Sequence, residues 1–245
     1  MNKPFKIPYF NALQDILKRI ESTQTAALEK AACAVATCLE KDGIIHTFGC
    51  GHSSSLAIET FYRSGCFGAV NAILDPGLMF QCGAHASTAF ERLNGYGNIV
   101  LKRHSFQPQD VLFVFSNSGK NPAGIEAVFY AKEQGASTLA ITAAAANAQT
   151  KSRHASGKLL KDVADIVIDN CCSANETALE LQGTDVAPVS TLAGAAILHA
   201  IFYRAAEMLT KKGIPLPVYK SSNAGGDAHN ALLGKKYAGR IKHLN

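Results

Sequence analysis

The stretch that most constrains this chain is Val111–Phe115 followed by Ser116-Asn117-Ser118-Gly119-Lys120-Asn121-Pro122. Consecutive Val, Leu and Phe residues read as a strand buried on both faces, the kind found in parallel sheets. Residues 123–134 then read as a helix, with Asn121 suited to the N-cap, Pro122 to the first helical position and Gly135 to the stop. A strand that turns through Ser-x-Ser-Gly into a helix aims free backbone N–H groups and two hydroxyls at one point. That is a natural anion site, and phosphate is the obvious anion.

A second loop of the same kind lies earlier. Residues 43–48 read as a strand, Gly49-Cys50-Gly51-His52-Ser53-Ser54-Ser55 as the loop after it, and 56–63 as a helix ending at Gly65. Residues 69–74 give the next strand, closed by Asp75-Pro76-Gly77. This βαβ unit invites a dinucleotide reading, since Gly49-x-Gly51 matches two fingerprint glycines and Asp75 sits about where a ribose-binding acid would. The third glycine position is Ser54, however, where close helix–strand packing wants no side chain. Three consecutive serines suit an anion held by hydroxyls and N–H groups better.

The rest of the chain supplies the frame. Residues 10–41 form a long helix with apolar residues at helical spacing, a packing or dimerisation helix rather than half of a DNA-binding pair. Ser137–Thr142 and 165–168 are the fourth and fifth strands. Between the second and third strands, 77–98 is an excursion holding Cys82, His85, Glu91 and Arg92, and Cys82 with His85 is too little for a zinc site. The segment 142–161 carries Lys151, Arg153, His154 and Lys158, either a solvated loop or a basic wall for a phosphate. A helix over 190–212, capped by Ser190 and stopped by Gly213, is apolar on nearly every side, so it belongs in the core or at a subunit interface. His199 in its middle reads most simply as a satisfied core histidine.

Composition excludes several classes. With 245 residues, 47% hydrophobic and 18% charged, the chain is an ordinary α/β protein. No run approaches the roughly 18 apolar residues of a membrane span, and residues 1–10 have no apolar leader. A net charge of +5 without clustering fits a small anionic ligand, not nucleic acid. Seven scattered cysteines fit a reducing cytoplasm. No cofactor or metal is expected. The chain reads as one domain with a helical extension (1–42), a core (43–212) and a C-terminal tail (213–245).

Three motifs together resemble the SIS (sugar isomerase) domain family: Gly49-Cys50-Gly51-His52-Ser53-Ser54, Ser116-Asn117-Ser118-Gly119 and Val189-Ser190-Thr191. The Asp75-Pro76-Gly77-Leu78-Met79 and Thr150-Lys151-Ser152-Arg153-His154 segments, with Gly225-Gly226-Asp227-x-His229-Asn230, resemble an uncharacterised branch related to phosphoheptose isomerase. The family has Thr where this chain has Asn121. The resemblance implies a three-layer sandwich, a five-stranded parallel sheet between helices (flavodoxin-like or Rossmann-like), with a phosphosugar at the strands' carboxyl ends. It implies that Gly51, His52, Ser53, Ser54, Ser116, Asn117, Ser118, Gly119 and Asn121 cradle the phosphate while Ser190 and Thr191 line the site. It also implies a homodimer or homotetramer whose site is shared between subunits.

Aldose–ketose isomerisation needs a base beside the sugar carbons and a second group for the hydroxyl proton. Glu59, one helical turn beyond Ser55, and His199, eight residues after Thr191, are the catalytic candidates, the latter on the resemblance to phosphoheptose isomerase. Glu91, His85 and His229 stand in reserve. The leading expectation is a phosphosugar isomerase. The alternatives are a phosphosugar sensor and a lyase resembling N-acetylmuramic acid 6-phosphate etherase.

Overall fold

A computed structural model describes residues 7–244; the start of the chain, on which the expectation of no apolar leader falls, lies outside the described residues. The long helix α1 (Pro8–Glu40) leads into β1 (Ile45–Gly49), a short 3-10 turn and α2 (Ser54–Glu59), then β2 (Val70–Ile73). The excursion that follows holds α3 (Ala84–Arg92) and α4 (Tyr96–Leu101). Next come β3 (Val111–Phe115), α5 (Pro122–Glu133), β4 (Ser137–Thr142), α6 (Leu160–Val163) and β5 (Ile166–Asp169). A hairpin of β6 (Thr177–Leu181) and β7 (Thr184–Pro188) precedes α7 (Ser190–Lys211), and α8 (Asp227–Tyr237) lies in the tail.

The strands form one parallel sheet in the order β2-β1-β3-β4-β5. Alternation along β3 explains the layers. Val111, Phe113 and Phe115 face a core with Ile16, Val35, Leu56, Ile197, Ile201 and Phe202, from α1, α2 and α7. Leu112 and Val114 face a second core with Val100, Ile125, Val128 and Leu160, from α4, α5 and α6. The order reverses direction between β1 and β3, and such a switch point opens a crevice at the carboxyl ends. Both serine loops follow those two strands.

Several expectations are corrected. The helix after the first loop ends at Glu59, not residue 63, because Thr60-Phe61-Tyr62 leaves helical geometry and Tyr62 has φ +49. Val189, not Ser190, is the residue before α7. The hairpin β6–β7 was not anticipated, although Gln182-Gly183 carries the sign of a tight hairpin turn, with φ +52 and +78. α7 is, among the described residues, the one helix long and apolar enough to cross a membrane. Here it buries Ile197, Leu198, Ile201 and Phe202 in the core beside α1.

The Gly225–His229 turn proves to be a latch. A Cβ on Gly226 would sit 2.8 Å from the Lys220 carbonyl oxygen. Asn230 grips the Lys220 backbone at both its N–H (2.9 Å) and its carbonyl (2.8 Å), and the His229 ring nitrogen Nε2 lies 2.9 Å from the Val218 carbonyl. His229 therefore ties down the segment that bridges to Phe67 and is remote from the serine loops.

Candidate functional site

At the switch point, a pocket of about 170 Å³ is lined by Cys50, Gly51, His52, Ser53, Phe80, Glu91, Ser116, Asn117, Ser118, Asn121 and Glu176. β1 delivers the first loop. Gly49 is required there, since a Cβ would lie 2.3 Å from the Ser53 carbonyl oxygen. Gly51 turns with φ +55, and its missing side chain leaves room for Phe80, 2.9 Å from where a Cβ would stand. β3 delivers the second loop, in which Gly119 has φ +58 and donates its N–H to Ser116 Oγ at 3.2 Å. That bond uses an acceptor site of Ser116 and leaves its proton for a ligand. The hydroxyls of Ser53 and Ser118 and the N–H groups of Asn117, Ser118 and Lys120 have no protein partner among the described residues. Unused donors gathered at the head of α5 are what an oxyanion requires.

Other anticipated residues act differently. Ser54 is buried and donates to the Gly51 carbonyl at 2.7 Å, so its hydroxyl shapes the loop and does not enter the pocket. Asn117 lines the pocket, but its amide is engaged: Oδ1 accepts from Asn170 at 2.8 Å and Nδ2 donates to the Ser173 carbonyl at 3.0 Å. Its side chain braces the loop against the end of β5. Asn121 precedes α5 without capping it through its side chain; Oδ1 accepts from Arg153 at 2.8 Å. Ser190 is one step back, donating to Glu176 Oε2 at 3.2 Å, and Thr191 is not among the lining residues. The basic segment is no wall. Arg153 reaches only Asn121, His154 packs on Phe129, and none of Lys151, Arg153, His154 and Lys158 lines the pocket.

Glu59 and His199 are brought together, with His199 Nε2 2.9 Å from Glu59 Oε1 and Arg63 Nη1 3.3 Å from the same oxygen. Glu59 lines a shallow depression with Ser55, Ile58, Phe61, Tyr62 and Arg63, and neither Glu59 nor His199 lines the pocket of the serine loops. His199 is thus a half-exposed hydrogen-bond partner of Glu59, not a core histidine. His85 is exposed. Glu91, held in reserve by sequence, does line the pocket. Burial pushes its carboxyl above the ordinary range, Glu176 adds to this, and Asn121, Arg92 and Arg153 pull the other way. Burial, then Glu91 and Asp75, push the Cys50 thiol well up, which disfavours its thiolate. Glu176, at the foot of the unanticipated hairpin with φ +69, was missed because nothing local marks a carboxylate that the hairpin carries to the pocket. Among the described residues no three His, Cys, Asp or Glu side chains gather as a metal site.

The fold is a three-layer α/β sandwich with a crevice at its switch point, and the sequence profile of the SIS domain family matches residues 8–143. The chain belongs to the SIS domain family. A UPF0309 protein of Listeria monocytogenes serotype 4b is similar at 40% identity over 239 residues, 96% of this chain and 97% of its own. One from Geobacillus kaustophilus is 39% identical over 239 residues, 96% of this chain and 95% of its own. Among solved structures, the phosphoheptose isomerase of Neisseria gonorrhoeae superposes with a TM-score of 0.53 at 20% identity, over 82% of this chain and 96% of that one. That likeness speaks to the fold.

Proposed function

We propose that this protein binds a phosphorylated sugar and interconverts its aldose and ketose forms through an enediol(ate). The carrying observation is the pocket at the β1–β3 switch point, where unpartnered serine hydroxyls and backbone N–H groups face two glutamates. The phosphate sits on Ser53, Ser116, Ser118 and the N–H groups of Asn117, Ser118 and Lys120, at the positive end of α5. The sugar extends toward Glu91 and Glu176. The phosphoheptose isomerase likeness supports the fold in which this chemistry is housed.

The protein acts as one SIS domain in a homodimer or homotetramer. The face holding Glu59 and His199 also exposes Ile58, Tyr62, Leu192 and Tyr203, which supports its being covered by a neighbouring copy that shares the site. All seven cysteines are free thiols, which supports a cytoplasmic setting.

The test is a thermal-shift and titration series with C5–C7 sugar phosphates and their unphosphorylated counterparts. A ligand at 100 times its Kd adds about 2.7 kcal/mol of stability. Only phosphorylated sugars should stabilise the protein. The Ser116→Ala/Ser118→Ala double variant should lose about a hundredfold in affinity, since each hydrogen bond to a charged group is worth about 1.5–3 kcal/mol. A loss below tenfold refutes the cradle. Binding without any turnover by the wild type would make the protein a sensor.

A further inference from the structure

Glu91 and Glu176 enter the pocket from different elements, Glu91 from α3 and Glu176 from the foot of the β6–β7 hairpin. No Lys or Arg side chain lines this pocket. Carboxylates buried or half-buried elsewhere are met by cations or backbone donors: Asp110 by Arg240, Asp75 by Arg103, Asp165 by Lys132, Glu126 by the N–H groups of Gly95 and Asn98. The two pocket glutamates have no ion-pair partner among the described residues, so their charge serves no fold-stabilising pair. Carboxylates left free beside an anion cradle are placed for proton transfer.

Their surroundings differ. Asn121, whose Oδ1 accepts from Arg153, lines the pocket with Glu91 and favours the charged form of that carboxyl against the effect of burial. Glu176 is fixed by its carbonyl, which accepts from Val189 N–H at 2.8 Å, and by Ser190, which takes one carboxylate oxygen and leaves Oε1 without a partner among the described residues. Positioned acids of this kind satisfy the geometric requirement on a base, and the raised Glu91 carboxyl moves it toward the operating range of one.

We propose that Glu91 is the base that moves the carbon-bound proton of the phosphosugar and that Glu176 moves its hydroxyl proton. This assignment rests on the phosphosugar isomerase reading above. In the aldose-to-ketose direction, the Glu91 carboxylate takes the C2 proton. The C–H pair becomes the C1=C2 bond, and the carbonyl π pair moves to O1. The O2 proton passes to Glu176 and from it a proton goes to O1, while the O2–H pair becomes the C2=O2 bond. Glu91 returns its proton to C1, so the ketose has the atoms of the aldose and both glutamates end as they began.

The experiment uses the full chain in D2O with a panel of C5–C7 aldose and ketose phosphates, following deuterium at carbon alongside turnover, with inorganic phosphate as the binding probe. Glu91→Gln should lose about 10²–10⁴-fold in both exchange and turnover, the usual worth of a positioned acid or base, and keep its phosphate Kd within threefold. Glu91→Asp should recover at least tenfold over Gln. Glu176→Gln should keep carbon exchange within tenfold of wild type while turnover falls about a hundredfold. Exchange in Glu91→Gln within tenfold of wild type overturns the assignment, as does loss in Glu59→Gln alone. A wild type that binds sugar phosphates and exchanges no carbon-bound hydrogen overturns the isomerase reading itself, and the assignment with it.

Discussion

The two ends of the one parallel sheet both bury polar groups, and they treat them in opposite ways. At the amino end, His46 of β1, Asn71 of β2 and Asp110 just before β3 form a buried cluster centred on the Asp110 carboxylate, in which only Asn71 Oδ1 and the Arg240 Nε and Nη1 atoms lack a partner among the described residues. Asp110 accepts four donors: Ile44 N–H at 2.8 Å, Gln107 N–H at 2.7 Å, Arg240 at 2.6 Å and the His46 ring nitrogen Nε2 at 3.3 Å. Because a carboxylate only accepts, His46 carries its proton on Nε2. Its Nδ1 then accepts from the Asn71 amide at 2.9 Å, and the same amide nitrogen lies 3.2 Å from His104 Nδ1. At the carboxyl end, the serine hydroxyls, loop N–H groups and two glutamates have their valences open. The amino end spends its polar groups on the fold and pins the C-terminal tail through Arg240. The carboxyl end leaves them for a ligand.

The comparison breaks if the amino-end cluster can be removed cheaply. Asp110→Ala would leave the Arg240 cation and the His46 proton without an acceptor. Breaking a buried pair from one side costs about 3–5 kcal/mol, and the low end applies because the Arg240 side chain keeps 23% exposure. A urea midpoint should register a loss of about 3 kcal/mol, with inorganic phosphate still bound by the folded fraction. A loss under about 1 kcal/mol would mean the cluster holds little.

Acid should probe the same cluster next. Burial pushes His104 down to about 4 from 6.5, with His46, Lys242, His243 and Arg103 adding to it. His104 is thus neutral in the folded chain in a range where the unfolded chain binds its proton. Between pH 6.5 and about 4 the unfolded state holds more protons, so stability is full above that window and falls as pH drops through it. The drop is on the order of 3 kcal/mol for this group. His104→Gln should reduce the slope of the urea midpoint against pH over this window, with the buried His46 supplying the remainder because burial lowers it too; an unchanged slope would remove His104 from the cause.

A smaller effect is expected where backbone strain meets the pocket. Gly51→Ala puts a Cβ at φ +55 and within 2.9 Å of Phe80. The left-handed conformation costs roughly 1–2 kcal/mol for a residue with a Cβ. Melting should fall by that amount, and phosphate affinity should fall with it because Phe80 lines the pocket. Unchanged melting would show that the loop relaxes without loss.

Sequence reaches the two ends unequally, for physical reasons. The sheet was legible because its strands are short apolar runs, the first three closed by Gly, Asp-Pro or Ser, and the serine loops were legible because donors and turn residues are adjacent in the chain. The β3 and β4 bounds match the expectation. The partner of each polar group was not legible. Asn117 and Ser54 look like ligands in the sequence, and only the fold shows their hydrogen bonds already taken by Asn170, Ser173 and Gly51. Glu176 enters the pocket through a hairpin fold-back, and Arg240 reaches Asp110 across 130 positions. Glu59 and His199 meet, yet away from the serine pocket, since Glu59 shares its helix face with Ser55 as the spacing suggested and Ser55 itself lies outside that pocket.

The smallest expected stability change is the sharpest test of the contrast. The hydroxyls of Ser53 and Ser118 have no hydrogen-bond partner among the described residues, so Ser53→Ala and Ser118→Ala remove no hydrogen bond seen there. Each should melt within about 0.5 kcal/mol of wild type, as substitutions away from any packed or paired feature do. Binding should respond in the opposite sense, with inorganic phosphate affinity falling about tenfold for each, near the lower bound for a hydrogen bond to a charged group. The Asp110 variant should show the reverse, with stability lost and phosphate affinity kept. If the serine variants lose stability and keep phosphate, their hydroxyls hold the loop, and the carboxyl end of the sheet is built like the amino end.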